Sequence, residues 1–132
     1  MTSSFQRSYG RTVSPFACLK PNSESVLLGG IGDDGERWTR VITSRAARLL
    51  WYHIGSMLDP ERFAQHIIGL GTVPIRSAGL PNITSDFHID FTDSGGCEVL
   101  GRGSGSDWSA LFEPESVRQL WTALDDLLTA SE

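Results

Sequence analysis

Four tryptophans fall into two pairs with the same internal spacing. Trp38 and Trp51 are 13 residues apart, and so are Trp108 and Trp121. An offset of 70 residues that superimposes the two pairs also aligns Arg48 with Arg118, Leu50 with Leu120 and Leu58 with Leu128. A stretch that recurs in this way predicts one supersecondary unit used twice. It constrains architecture strongly and chemistry weakly.

The chain is long enough for a single core. It has 132 residues, of which 39% are hydrophobic and 20% charged, a composition typical of a globular protein. We therefore predict one domain over residues 1–132, with repeat units of about 1–59 and 72–130 joined by a segment 60–71. No apolar run reaches the roughly 20 residues that span a bilayer, so no membrane association is expected.

The second unit shows the clearer pattern. Residues 83–91 alternate in polarity, which is typical of a strand with one face in water. The predicted inner face holds Ser85, Ile83, Phe87, Ile89 and Phe91, and the outer face holds Thr84, Asp86, His88 and Asp90. Glycine-rich turns at 93–96 and 103–106 predict further strands at 97–102 and 108–112. Pro114 then begins a helix whose apolar positions recur at helical spacing.

The first unit repeats this order. Strands are predicted at 13–19, 26–31 and 36–42, and Pro15 favours an edge position for the first of them. Thr43 or Ser44 is expected to cap the helix that follows. Residues 60–70 predict a short helical continuation or an extra turn after the first long helix. Residues 2–8 and 72–78 correspond at the same offset, so each unit holds three strands or four.

This order of elements indicates an α+β protein in which a pseudo-symmetric antiparallel sheet plus helix, ββββα, occurs twice. The architecture resembles that of the Whirly and PUR-repeat families, and the resemblance covers most of the chain. It implies a duplicated fold associated with binding single-stranded nucleic acid. Neither the KGKAAL-type signature nor the PUR-repeat sequence is present, so no functional residue is carried over.

Asp86, His88 and Asp90 share one strand face and are the candidate metal or catalytic residues. Carboxylates and imidazole can bind a divalent ion, or a carboxylate can orient the histidine as a base. Side chains two apart on a strand are separated by roughly 6.7 Å, however, so one ion needs ligands from a neighbouring strand as well. The alternative is a solvated polar face. No recognisable catalytic set, metal-ligand spacing or cofactor motif occurs, and we predict a protein without enzymatic activity, cofactor or metal.

Charge is unevenly distributed along the chain. The net charge is −5, but residues 1–81 carry nine basic and six acidic side chains, whereas residues 82–132 carry two and ten. Such a dipolar molecule favours docking of unlike surfaces, and we predict a protein partner or self-association. The alternative is single-stranded nucleic acid held by Arg37, Arg40, Arg76 and Arg102, which the overall acidity disfavours.

The two cysteines predict a reducing compartment. Cys18 and Cys97 belong to no CxxC motif, and no signal peptide is seen at the N-terminus. We expect both thiols to be reduced and the protein to be cytoplasmic.

Overall fold

Six strands close into a barrel in the computed structural model, which describes residues 6–20, 25–64, 83–105 and 107–129. The described elements, in chain order, are β1 (Gln6–Leu19), β2 (Val26–Ile31), β3 (Arg37–Ile42), α1 (Ser44–Leu58), α2 (Pro60–Ala64), β4 (Ile83–Phe91), β5 (Cys97–Gly103), β6 (Asp107–Phe112) and α3 (Pro114–Thr129). We call β1 to α1 the first half and β4 to α3 the second half. The α+β class is confirmed. The candidate fourth strand at 72–78 lies outside the described residues.

The sheet is mixed, which corrects the prediction of antiparallel pairing throughout. Neighbours in sequence pair antiparallel within each half, but β3 pairs parallel with β4, and β1 pairs parallel with β6. These two parallel pairings join the halves into one barrel. Parallel neighbours need a long crossover, and α1 lies within the connection from β3 to β4.

The two halves use corresponding partners in this sheet. Val26 pairs with Ile42 as Cys97 pairs with Phe112, and Thr12 pairs with Phe112 as Thr84 pairs with Ile42. We call residues with the same place in this register matched positions. They lie 72 residues apart between β1 and β4, 71 apart between β2 and β5, and 70 apart from β3 onward, as for Thr12 and Thr84, Val26 and Cys97, and Ile42 and Phe112.

Pro15 does not place β1 at an edge, contrary to prediction. β1 pairs with β2 on one side and β6 on the other. The pairing with β2 shifts register between Val13 and Phe16, and Ser14 there has a φ of 50°. A bulge tolerates a proline because the ladder hydrogen bond is already interrupted.

β4 departs from strict alternation in a similar way. Its pairing with β5 shifts register between Thr84 and Asp86. Thr84, which was predicted on the wet face, is therefore buried, whereas Phe91 at the other end of the strand is 41% exposed. The register shift explains why the prediction for Thr84 is wrong, because it moves the Thr84 side chain to the inner face.

The core contains tryptophans from both halves. Trp38, Trp51 and Trp108 are buried, and Trp121 is half-buried against them. Trp38 and Trp108 lie inside the barrel with ring centroids 5.1 Å apart. This burial shows that the indoles pack in the core of the protein.

Each long helix begins and packs as its sequence predicts. The Thr43 side chain caps α1 by accepting a hydrogen bond from the Ala46 amide, 3.0 Å away, and α3 begins at Pro114. α1 packs against β4 and α3, while α3 packs along β1. The buried helical positions, each on one apolar stripe, are Ala46, Ala47, Leu50, Trp51, Ile54 and Gly55 in α1 and Ser116, Val117, Leu120, Leu124 and Leu128 in α3.

Candidate functional site on the outer face of the barrel

Charged side chains are segregated between the halves. The elements of the first half carry six arginines and no acid: Arg7, Arg11, Arg37, Arg40, Arg45 and Arg48. Those of the second half carry seven acids and two arginines: Asp86, Asp90, Glu98, Asp107, Glu115, Asp125 and Asp126, with Arg102 and Arg118. Three acids of the first half lie in the turn at residues 32–36 between β2 and β3.

Two matched positions reverse in charge. The first residue of β3 is Arg37 and the first residue of β6 is Asp107. The second residue of α1 is Arg45 and the second residue of α3 is Glu115. Opposite charges therefore occupy the same places in the two halves.

The outward-facing strand residues that follow these first charges are similar in kind, Thr39 and Val41 on β3 and Ser109 and Leu111 on β6. We call Arg37, Thr39, Val41 and Arg45 the basic row, and Asp107, Ser109, Leu111 and Glu115 the acidic row. Each row begins and ends with a charge and has a hydroxyl and an aliphatic side chain in between. The two rows thus differ in the sign of their end charges and agree at the two strand positions between them. The residue before each helix differs as well: it is Thr43 on the basic side and Glu113 on the acidic side, where Glu113 lies 3.6 Å from Arg11.

The strand part of each row faces outward, because side chains alternate between the two faces of a strand. Buried Trp38 and Ile42 define the inner face of β3, and buried Trp108 and Phe112 define that of β6. The row residues occupy the intervening positions. None of the four charged groups that end the rows forms an ion pair with another described residue.

The surroundings of the rows differ in polarity. Beside the basic row, β2 contributes Leu27 opposite Val41 and Ile31 opposite Arg37. Beside the acidic row, β5 contributes Glu98 opposite Leu111 and Leu100 opposite Ser109. Leu27 and Glu98 are themselves matched positions, so the charge difference extends to β2 and β5. On the other side of the acidic row, β1 places the exposed Arg11 opposite Leu111.

Asp86, His88 and Asp90 lie on the outer face next to the acidic row. The His88 Nε2 atom is 3.3 Å from Asp90 Oδ2, with both side chains well exposed. A depression of about 130 Å³ is lined by His88, Asp90, Glu98, Leu100 and Ser109. Asp86 pairs with Arg102 on β5. Among the residues that the structure describes, no group of three or more histidine, cysteine or acidic side chains is placed to hold a metal ion.

The structure separates the arginines that were predicted to share a nucleic-acid surface. Arg37 is exposed on the outer face of β3, whereas Arg40 lies on the inner face, with its NH1 atom 3.5 Å from the Tyr9 hydroxyl and its guanidinium 5.9 Å from the Trp108 ring. Arg102 is in the second half, opposite Asp86. Arg76 lies outside the described residues.

The tryptophan rings inside the barrel are poor candidates for stacking on bases. Tyr9 stacks on Trp38 with centroids 4.3 Å apart, and the guanidinium of Arg7 lies 5.2 Å from the Tyr9 ring. Trp38 and Trp108 are almost fully buried. Base stacking needs an accessible ring face, and these two indoles already contact protein neighbours.

A second charged cluster joins the helices and was not anticipated from the sequence. Asp125 accepts hydrogen bonds from Trp51 Nε1 and from Arg62 NH2, both at 2.9 Å. The guanidinium of Arg62 lies 5.3–5.8 Å from the rings of Trp51, Phe63 and Trp121. Because these groups satisfy one another, the cluster fixes α2 against α1 and α3 and offers no vacant ligand position.

The two thiols differ in their surroundings. Cys18 is exposed and Cys97 is buried, and both are free. Burial raises the pKa of the Cys97 thiol to about 12, because the thiolate is poorly solvated inside the barrel. Cys97 is therefore unsuited to act as a nucleophile near neutral pH.

The rows were missed at the sequence level for an identifiable reason. Aligning the two repeat units at an offset of 70 brings out identical and similar residues, and above all the tryptophans. The same offset pairs Arg37 with Asp107 and Arg45 with Glu115. A search for reversed charge at that offset would have found both pairs.

Comparisons with known proteins identify no relative: no protein-family model, curated protein or solved structure matches the chain. Within the described ranges, no helix is both long and apolar enough to cross a membrane.

Proposed function

We propose that this protein is a non-enzymatic, cytoplasmic binding protein that docks a protein partner, or a second copy of itself, through the charged rows of its barrel. The observation that carries the proposal is the charge reversal at matched positions, Arg37 against Asp107 and Arg45 against Glu115. The free thiols of Cys18 and Cys97 suit the reducing compartment that the proposal includes.

Helix stability does not account for the arginine at position 45. A helix N-terminus favours acidic side chains, and Glu115 in the first turn of α3 follows that preference. Arg45 is placed in the first turn of α1, which contains no acid. Because Arg45 opposes the helix dipole, its presence at this position is not explained by helix stability. Recognition of an acidic surface on a partner would explain it.

A tandem duplication is part of the proposal. Two matched indole–hydroxyl hydrogen bonds support it: Trp38 donates to Thr12, and Trp108 donates to Thr84. We propose that the copies kept their interior and diverged in surface charge, within the ββββα architecture of the Whirly and PUR-repeat type. The described βββα order in each half is consistent with that architecture.

Affinity capture with a matched control tests the proposed function. The full chain is immobilised and exposed to a cell lysate at about 0.05 M salt, then washed at about 0.5 M, where charge screening is much stronger. The acidic-row variant is Asp107→Asn with Glu115→Gln. The control variant, Asp93→Asn with Asp126→Asn, removes the same charge elsewhere on the surface.

The expected result is a defined partner, or the protein itself, held by the wild type and the control, released by salt and lost from the acidic-row variant. Equal capture by both variants would contradict the use of the row. A wild-type chain that holds no partner and does not self-associate at low salt would overturn the proposal.

Single-stranded nucleic acid is the second candidate, and the absence of acids from the strands of the first half favours it. Arg7 and Arg40 lie beside aromatic rings, and Arg11 and Arg37 are exposed. A gel shift with mixed-sequence single strands at about 50 mM salt, where phosphate contacts are strongest, tests it. Binding weakened by Arg7→Gln with Arg37→Gln would support this function, and the lack of any complex would exclude it.

A further inference from the structure

We infer that the partner is a second copy of this chain, bound head to tail, with the basic row of one molecule on the acidic row of the next. This inference rests on the proposed function and specifies its partner. It requires that the two rows fit each other in spacing and chemistry, and that they cannot meet within one molecule.

The spacing of the rows agrees because they occupy matched positions. Each row follows a strand of six residues, passes one connecting residue (Thr43 in the first half, Glu113 in the second) and ends at the second residue of the following helix. Arg37 and Arg45 are therefore separated by the same run of backbone as Asp107 and Glu115. A foreign partner would need to reproduce this spacing, whereas a second copy already has it.

The chemistry of the rows is complementary whichever way they are aligned. Each row has one charge at either end, so both arginines meet carboxylates in a parallel or an antiparallel arrangement. All four charged groups lack an ion-pair partner among the described residues. Half-buried Leu27 and Ile31 beside the basic row and Leu100 beside the acidic row add apolar area that docking would cover.

The rows of one molecule cannot bind each other. The barrel order runs from β1 to β6 and closes, so β3 and β6 lie three strands apart, on opposite sides. A contact between the basic row of one copy and the acidic row of another leaves one row of each copy free. Such a heterologous contact builds rings or open chains rather than a closed dimer.

Light scattering coupled to size-exclusion chromatography, on the full chain at about 0.05 and 0.5 M salt, tests the inference. Two variants reverse one row each: Arg37→Glu with Arg45→Glu, and Asp107→Arg with Glu115→Arg. A third variant carries all four substitutions and so exchanges the signs of the two rows. Circular dichroism establishes that each variant folds.

At low salt the wild type is expected to form species larger than a monomer, with a mass that increases with concentration, and to dissociate at high salt. Each single-row variant should associate at least about tenfold more weakly, because like charges then face each other. An equal mixture of the two single-row variants should associate, as should the variant with all four substitutions. Restored association in these cases shows that the losses do not come from misfolding.

A wild type that stays monomeric at low salt, or single-row variants that associate as well as the wild type, would overturn the inference. Capture of a different protein through the acidic row would then leave the proposed function standing. Failure of both the association and the capture experiments would remove the proposed function as well.

Discussion

The indole N–H of Trp108 donates a hydrogen bond of 2.8 Å to the hydroxyl of Thr84 inside the barrel. Both residues are almost completely buried. Trp38 donates to Thr12 at the matched place in the first half, over 3.2 Å. The barrel can therefore enclose two indoles because each half supplies a buried acceptor on its first strand.

Replacing Thr84 with valine should destabilise the protein by about 1–3 kcal/mol, because the Trp108 N–H then loses its acceptor in a buried place. Thr84→Ser, which keeps the hydroxyl, should cost less. Urea unfolding measures both, and Thr39→Val on the exposed face of β3 is the control. An unchanged unfolding midpoint for Thr84→Val would contradict the hydrogen bond.

Gly101→Ala should be destabilising, because a Cβ at this buried place on β5 would overlap the Trp108 indole. Overpacking of this kind costs about 1–3 kcal/mol. Thermal unfolding, compared with Thr39→Ala on an exposed strand position, gives the measurement. If both variants unfold at the wild-type temperature, the indole does not pack over Gly101 as the structure shows.

Thiol labelling should distinguish the two cysteines. The exposed Cys18 is expected to react quickly with a thiol reagent in the native protein, whereas the buried Cys97 should react only after denaturant is added. Mass spectrometry at successive times should therefore show one label, then two. Cys18→Ser should remove the fast label, and rapid double labelling of the native protein would contradict the burial of Cys97.

Burial of Cys97 should also make stability depend on pH in the alkaline range. Its pKa is raised from 9.0 in the reference state to about 12 in the folded protein, so the unfolded chain releases the thiol proton first. Stability from this group is complete below pH 9 and falls as the pH rises from about 9 towards 12, by up to about 1.4 kcal/mol per pH unit. Urea unfolding at pH 7, 9 and 10 should show a shallower decline for Cys97→Ala, and parallel curves would contradict the assignment.

Asp125 should contribute to stability through two partners, the Trp51 indole and the Arg62 guanidinium. We expect Asp125→Ala to cost about 1–2 kcal/mol, and Asp125→Asn to cost less because it keeps an acceptor for the indole. The Arg62 pair itself is partly exposed, which limits its share. A double-mutant cycle with Arg62→Ala measures that share, and Asp126→Ala on the same helix is the control. Equal stability of Asp125→Ala and Asp126→Ala would refute the role of this cluster.

The local elements were largely predictable because their signals are local. Thr43 before an apolar helical pattern indicates a capped helix, Pro114 indicates a helix start, and the glycine-containing turn at residues 93–96 indicates a hairpin. Each signal depends on the chemistry of a few adjacent residues. The helices α1 and α3, the hairpin turns and the approximate bounds of β2, β3, β5 and β6 follow from signals of this kind.

The pairing of the strands was not predictable in the same way. Unequal loops change the offset between matched positions from 70 to 71 and 72, so a comparison at one offset aligns the tryptophans and misses Thr12 with Thr84. The barrel closes where β1 pairs with β6, and the paired residues lie about 100 positions apart in the sequence. No local pattern specifies a contact over that distance.

The sequence by itself determined the α+β class, the two helices with their apolar stripes and the distribution of charge along the chain, because periodicity and composition act over short distances. Only the tertiary structure decided that Arg37 faces outward and Arg40 inward, and that two rows of opposite charge lie on opposite sides of one barrel. The physical reason is strand register: a single bulge or an added loop residue changes the face on which every following side chain lies.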